Sequence, residues 1–165
     1  TVYNNVGLDF MYGLLFGDFH LSAHSSLFWL RSPDPLPDGV MWTLGFSGKA
    51  HFTDTVALFF DPQIGIALKD RADYKEQLFV PLELQLQASR TIALKILSGV
   101  TGQLASLGTT YRVPVGLGVV ANLTRNLDLG LRFSFDNLLG HIPEIPPGLS
   151  RTSERSLGLL VTIRS

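Results

Sequence analysis

Side-chain polarity in this chain alternates with a period of two over long stretches. In 77–88 one face reads Leu78, Val80, Leu82, Leu84, Leu86 and Ala88, and the other Gln77, Phe79, Pro81, Glu83, Gln85 and Gln87. Successive side chains of a strand point to opposite faces, so this pattern predicts a strand with one apolar and one mostly polar side. Residues 111–123 repeat it, with Tyr111, Val113, Val115, Leu117, Val119, Ala121 and Leu123 set against Arg112, Pro114, Gly116, Gly118, Val120 and Asn122. In 127–137 Leu127, Leu129, Leu131, Phe133 and Phe135 alternate with Asp128, Gly130, Arg132, Ser134 and Asp136. A helix would need apolar residues at i, i+3, i+4 and i+7, and these stretches do not fit that spacing.

Nine such segments run along the chain: 6–15, 19–30, 39–52, 55–68, 75–88, 91–103, 111–123, 127–138 and 156–164. Tight turns at Gly17-Asp18, Thr53-Asp54, Ser89-Arg90 and Thr124-Arg125-Asn126 alternate with longer links at 31–38, 69–74, 104–110 and 139–155. The turn residues are those whose side chains or backbone freedom favour reversal. No composition shift or repeat divides the chain, so 1–165 reads as one domain. It starts at Thr1 without an initiator Met or signal peptide, as a mature or trimmed product would.

Composition decides where the apolar faces go. Hydrophobic residues make up 45% and charged residues only 16%, against about 25% charged in a soluble domain. The longest stretch free of Asp, Glu, Lys and Arg is 96–111, too short and too polar for a membrane helix. There is no Cys, which excludes disulfide scaffolds and cysteine-based zinc or redox sites. The 13 Lys and Arg nearly balance the 14 Asp and Glu, so no basic footprint for nucleic acid exists. A net charge of −1 with this hydrophobicity also excludes disorder.

The polar face carries little charge and much Gly, Ser, Gln and His, which suits a small hydrated interior better than an outer surface. The apolar face is almost free of charge over the length of a strand that crosses a bilayer, about 9–11 residues. Strands can span lipid only when every backbone group is paired, as in a closed barrel. The aromatics fit: Tyr12, Phe19 and Phe52 lie on the apolar face beside tight turns, and Trp29, Trp42 and Tyr111 beside long links. Paired girdles of this kind mark both interfaces of a transmembrane barrel. The expected fold is an all-β, antiparallel up-and-down transmembrane β-barrel of eight strands, with ten as the alternative.

Short turns alternating with long loops, dyad alternation and aromatic girdles together resemble the small outer-membrane β-barrels of diderm bacteria (OmpA/OmpX/OmpW-like). The stretches Val113-Pro114-Val115-Gly116-Leu117-Gly118 and Asp128-Leu129-Gly130-Leu131-Arg132-Phe133 are similar to hairpins in such barrels. The resemblance covers about 6–164 and implies an outer-membrane location, periplasmic tight turns and outward long loops. One departure is the C-terminus, Val161-Thr162-Ile163-Arg164-Ser165, where these barrels commonly end in an aromatic residue. Bacterial single-chain barrels have even strand numbers. Nine segments leave the first and last running the same way, so either two segments merge into one strand or a further ascending strand completes ten.

The candidate functional residues lie on the polar face. Asp9, His20, His24, Lys49, His51, Asp61, Glu83, Lys95, Arg112, Asp128, Arg132 and Asp136 form the expected lumen network. Buried charges must pair or stay hydrated, so a salt-bridged plug is expected, with Lys95 and Glu83 its first pair. Placing Trp29 opposite Trp42 pairs His20 with His51 and His24 with Ser47. Two imidazoles, with Asp18 or Asp54 nearby, fall short of the three or four ligands a metal site needs, so no metal or other cofactor is expected. His20-Leu21-Ser22 resembles the His-x-Ser-Asn of outer-membrane phospholipases and lipid A deacylases, but Ala23 stands where the Asn should be. The loop 139–155 carries apolar Ile142, Ile145 and Leu149, a candidate partner-binding surface. The expected role is a non-enzymatic structural or anchoring barrel. Its expected partners are the bilayer with its lipopolysaccharide and other proteins of a cell-envelope assembly. The alternatives are a narrow channel for ions or small solutes and, third, a lipid-modifying enzyme.

Overall fold

The computed structural model describes residues 6–30, 38–71, 75–141 and 154–163. They form ten strands: β1 (Val6–Leu15), β2 (Phe19–Leu30), β3 (Gly39–Thr53), β4 (Val56–Phe60), β5 (Gln63–Lys69), β6 (Gln77–Gln87), β7 (Ile92–Gln103), β8 (Val115–Thr124), β9 (Leu127–Phe135) and β10 (Arg155–Ile163). All belong to one antiparallel up-and-down sheet in the order β1-β2-β3-β4-β6-β7-β8-β9-β10, with β5 lying between β3 and β6. Every tight turn expected from the sequence joins neighbouring strands on one rim of the sheet.

The expected eight strands give way to ten, because no two segments merge and one is interrupted. Strands β4 and β5 occupy a single position. On β3, Gly48 faces Phe60 and Gly45 faces Gln63 in one unbroken register. On β6, Leu82 faces Phe60 and Phe79 faces Gln63 in the same way. The interruption is Pro62, which has no N–H to give to the ladder. Its carbonyl still accepts from Phe46 N–H at 3.0 Å, and Asp61 N–H donates to the Pro81 carbonyl at 3.2 Å. The expected start of β8 at residue 111 also moves. Pro114 interrupts the ladder there, and Tyr111 and Arg112 make only isolated bridges to His141 and Thr101.

The burial pattern is inverted relative to a water-soluble sheet protein. Large apolar side chains stand exposed along one face, as in β3, where Trp42, Leu44 and Phe46 alternate with more covered neighbours and Phe52 is exposed near the strand end. The other face is covered, and it holds Ser26, Thr43, Ala57, Ala67, Ala93, Leu97 and Ser134. Among the described residues, Ser134 is the largest side chain that is fully buried. Ser47 on β3, Phe59 on β4, Glu83 on β6, Leu97 on β7 and Ser134 on β9 line one cavity of about 320 Å³. The sheet therefore curls around this face, where small residues such as Ser26, Thr43, Ala57, Ala67, Ala93 and Ser134 leave room for Met41, Phe59, Glu83 and Leu97.

Gly99 shows how tight that curl is. It faces Pro81 across β6 and β7 and has φ +151°, a backbone conformation that L side chains rarely adopt. A Cβ there would stand 2.5 Å from the Val80 carbonyl oxygen and 3.0 Å from Pro81 Cα. Gly99→Ala should lower stability by about 1–3 kcal/mol, the usual size of backbone strain. Gly108→Ala, where nothing lies within 4 Å of the added carbon, should change little. Urea midpoints of the two variants, side by side, check this.

Candidate functional site

The polar groups of the covered face come together strand by strand because the sheet alternates. Asp9, Ser26 and Thr43 are register neighbours on β1, β2 and β3. The Ser26 hydroxyl donates to Asp9 Oδ1, and the Thr43 hydroxyl to the Ser26 carbonyl at 3.5 Å. Further along, His24 Nε2 lies 2.7 Å from Asp61 Oδ1, and Gln63 Nε2 donates to Asp61 Oδ2 at 3.3 Å. Gly45 makes this possible: a Cβ at that position would stand 2.7 Å from His24 Nε2 and from Gln63 Cβ. The missing side chain is the space the imidazole fills. Gly45→Ala should therefore break the His24–Asp61 contact. An upfield change in the His24 ring shifts by NMR, absent in Gly108→Ala, is the expected result.

The ion pair expected between Lys95 and Glu83 is formed. Lys95 Nζ lies 2.6 Å from Glu83 Oε1, with each side chain about a quarter exposed. The pair is diagonal, since Glu83 faces Leu97 and Lys95 faces Gln85. Lys49 Nζ stands 4.9 Å from the centre of the Phe59 ring, a cation–π distance. Asn122 donates to Asp128 at 2.8 Å. The Ser156 hydroxyl lies 2.8 Å from that of Ser134 and donates to Asp136 at 3.1 Å. Arg112 pairs with Glu154 at 3.3 Å, and Arg132 lines the cavity that Asp61 and Glu83 also line. In the link before β6, Glu76 pairs with Arg71. Its carboxyl is held below the ordinary glutamate range by a backbone hydrogen bond and by Arg71. That clasp should therefore loosen at a lower pH than an unpaired glutamate would protonate.

The register of the β2–β3 hairpin differs from the expected one. Trp42 faces Leu27 and Trp29 faces Val40, so His20 lies opposite Lys49 and His24 opposite Gly45. The shift is two residues, which keeps every side chain on its face, so polarity alone could not detect it. His20 and His51 remain diagonal neighbours with ring centres 6.4 Å apart. Among the described residues, no three His, Asp or Glu side chains converge to hold a metal ion. Among the described residues, the imidazole held against a carboxylate is His24 and not the His20 of the His-x-Ser stretch.

Five of the girdle residues, Tyr12, Phe19, Trp29, Trp42 and Phe52, are exposed on the apolar face. Trp42 turns its indole N–H to the Ser25 hydroxyl at 2.8 Å. Tyr111 is less exposed and lies against His141, ring centres 6.5 Å apart. Ile142, Ile145 and Leu149 lie outside the described residues. Sequence reasoning missed the neutral partners: Ser26, Gln63, Asn122, Ser134 and Ser156. Their signal was present, since each occupies the polar phase of its strand. No protein-family model matches the chain, and neither a curated protein nor a solved structure is significantly similar to it.

Proposed function

We propose that the chain is an integral outer-membrane protein whose sheet closes as a transmembrane β-barrel, with a structural and anchoring role in a cell-envelope assembly and no enzymatic activity. The carrying observation is the inversion of burial: Leu, Phe and Trp exposed on one face, hydrogen-bonded charges and small residues on the other. Monomeric proteins in water rarely expose apolar patches beyond a few hundred Å², whereas lipid requires such a surface. The covered face supports an inert role, because its carboxylates are engaged by His24, Lys95, Asn122 and serine hydroxyls. The test is fractionation of the native envelope. The chain should stay in the membrane pellet through an alkaline wash and should migrate faster unboiled than boiled on a gel. Release into the supernatant with no migration shift would contradict the proposal.

A narrow channel is the second reading, and the cavity beside Asp61, Glu83 and Arg132 favours it. The Lys95–Glu83 pair lies on the wall of the covered face beside that cavity, which Glu83 lines, and the native chain is expected to pass no current above leak in a planar bilayer. Stepwise currents would favour the channel instead.

A further inference from the structure

The cavity on the covered face is lined by three charged side chains, Asp61, Glu83 and Arg132. Two of them are satisfied. Asp61 is held by His24 and Gln63, and Glu83 by Lys95. Among the described residues, Arg132 has no hydrogen-bond or ion-pair partner. Its register explains why. Arg132 faces Gly118 of β8 and Gly158 of β10, so neither neighbouring position has a side chain to offer it. A Cβ on Gly158 would meet nothing within 4 Å, so the space on that side is open. On the other side Lys95 faces Gly118, which puts two cations on one row with a glycine between them.

Much of the remaining wall is apolar, with Phe59, Pro81, Leu97 and Pro114 facing the same space. Apolar walls with a few convergent polar groups are how small-molecule sites are built. The volume of about 320 Å³ has room for roughly ten non-hydrogen atoms, at the ~30 Å³ that a water molecule takes up. A guanidinium without a partner calls for an acceptor, and its planar fork matches a carboxylate in a bidentate way. Asp61 and Glu83 bring negative charge into the same space, so an occupant with a single negative charge is favoured over one with two.

We propose that this cavity binds a monocarboxylate with a short apolar tail, its carboxylate on Arg132 and its tail against Phe59, Pro81, Leu97 and Pro114. Arg132 supplies the charge recognition, and the apolar wall selects for the tail. The competing account is that Arg132 only balances Asp61 and Glu83 at a distance, in which case no ligand gains from it. The proposal goes beyond the anchoring role and needs no partner protein.

Calorimetric titration of the folded full chain in nonionic micelles tests it, with the heats of titration into empty micelles subtracted. The probes are octanoate, octanol and acetate. Octanoate should bind saturably, one molecule per chain. Octanol lacks the charge and acetate lacks the tail, so each should bind about tenfold more weakly or worse. Arg132→Gln should weaken octanoate by about tenfold or more. Arg132→Lys should weaken it less, because the charge stays and only the fork is lost. Arg90→Gln, in the tight turn after β6 and outside the cavity, should leave it unchanged. Four results overturn the proposal: no saturable octanoate binding, octanol as tight as octanoate, acetate as tight as octanoate, or full octanoate affinity in Arg132→Gln. If Arg132→Gln fails to fold, the three probes on the native chain decide alone. Neither fractionation nor gel migration depends on this ligand, so failure here leaves the envelope reading standing, and the reverse.

Discussion

Leu131→Arg is expected to cost the folded protein about 2–4 kcal/mol in a lipid bilayer. Leu131 is the middle residue of β9, with Val119 of β8 on one side and Leu159 of β10 on the other. All three point to the exposed apolar face, and Leu131 is about half exposed. In water, placing a charge at such a position typically changes stability by less than about 0.5 kcal/mol. At the middle of a strand that crosses a membrane, the guanidinium meets hydrocarbon with no partner and little room to reach the interface. The chain provides its own control, because Arg132, one residue on, is tolerated on the opposite face. Urea unfolding in vesicles, with Leu131→Ala as the volume control, separates the two environments. A loss confined to the arginine variant is expected.

Removing one member of the Lys95–Glu83 pair has the second-largest expected effect. Breaking a wholly buried pair costs roughly 3–5 kcal/mol, because the remaining charge stays buried without compensation. With about a quarter of each side chain exposed, Glu83→Gln or Lys95→Met should cost about 2 kcal/mol. The double variant Glu83→Gln/Lys95→Met should be less destabilised than the sum of the singles, because no orphaned charge remains. Strict additivity would mean that the two groups do not interact. Conductance provides a second readout: the double variant removes the ionic bridge from the interior, and any current it carries above the native chain identifies this pair as the plug.

The faces of the sheet were legible in the sequence because strand polarity has a period of two, and a slip of one residue would invert it. That regularity also located the tight turns, and it put Lys95 near Glu83. What escaped the sequence obeys the same period. The Trp29–Trp42 pairing was wrong by two residues, a slip that moves no side chain across the sheet. The break at Pro62 was visible as a missing N–H, but the pattern of 55–68 continues through it: Ala57, Phe59, Asp61, Gln63 and Gly65 keep one phase. Strand number was not legible, since alternation is a local property and closure is not. The His24–Asp61 contact depends on Gly45 of a third strand, and only the assembled register brings these three together.

The central claim is that the exposed apolar face meets lipid and the small-residue face does not. The chain has no cysteine, so single cysteines can be placed without background at Leu129, Gly130, Leu131, Arg132, Phe133 and Ser134, spin-labelled, and studied in vesicles. Collision with oxygen, which concentrates in lipid, should be high at 129, 131 and 133 and low at 130, 132 and 134. Collision with a water-soluble nickel chelate should be low at the three apolar-face sites. High nickel access at 129, 131 and 133, or no alternation along β9, would contradict the account.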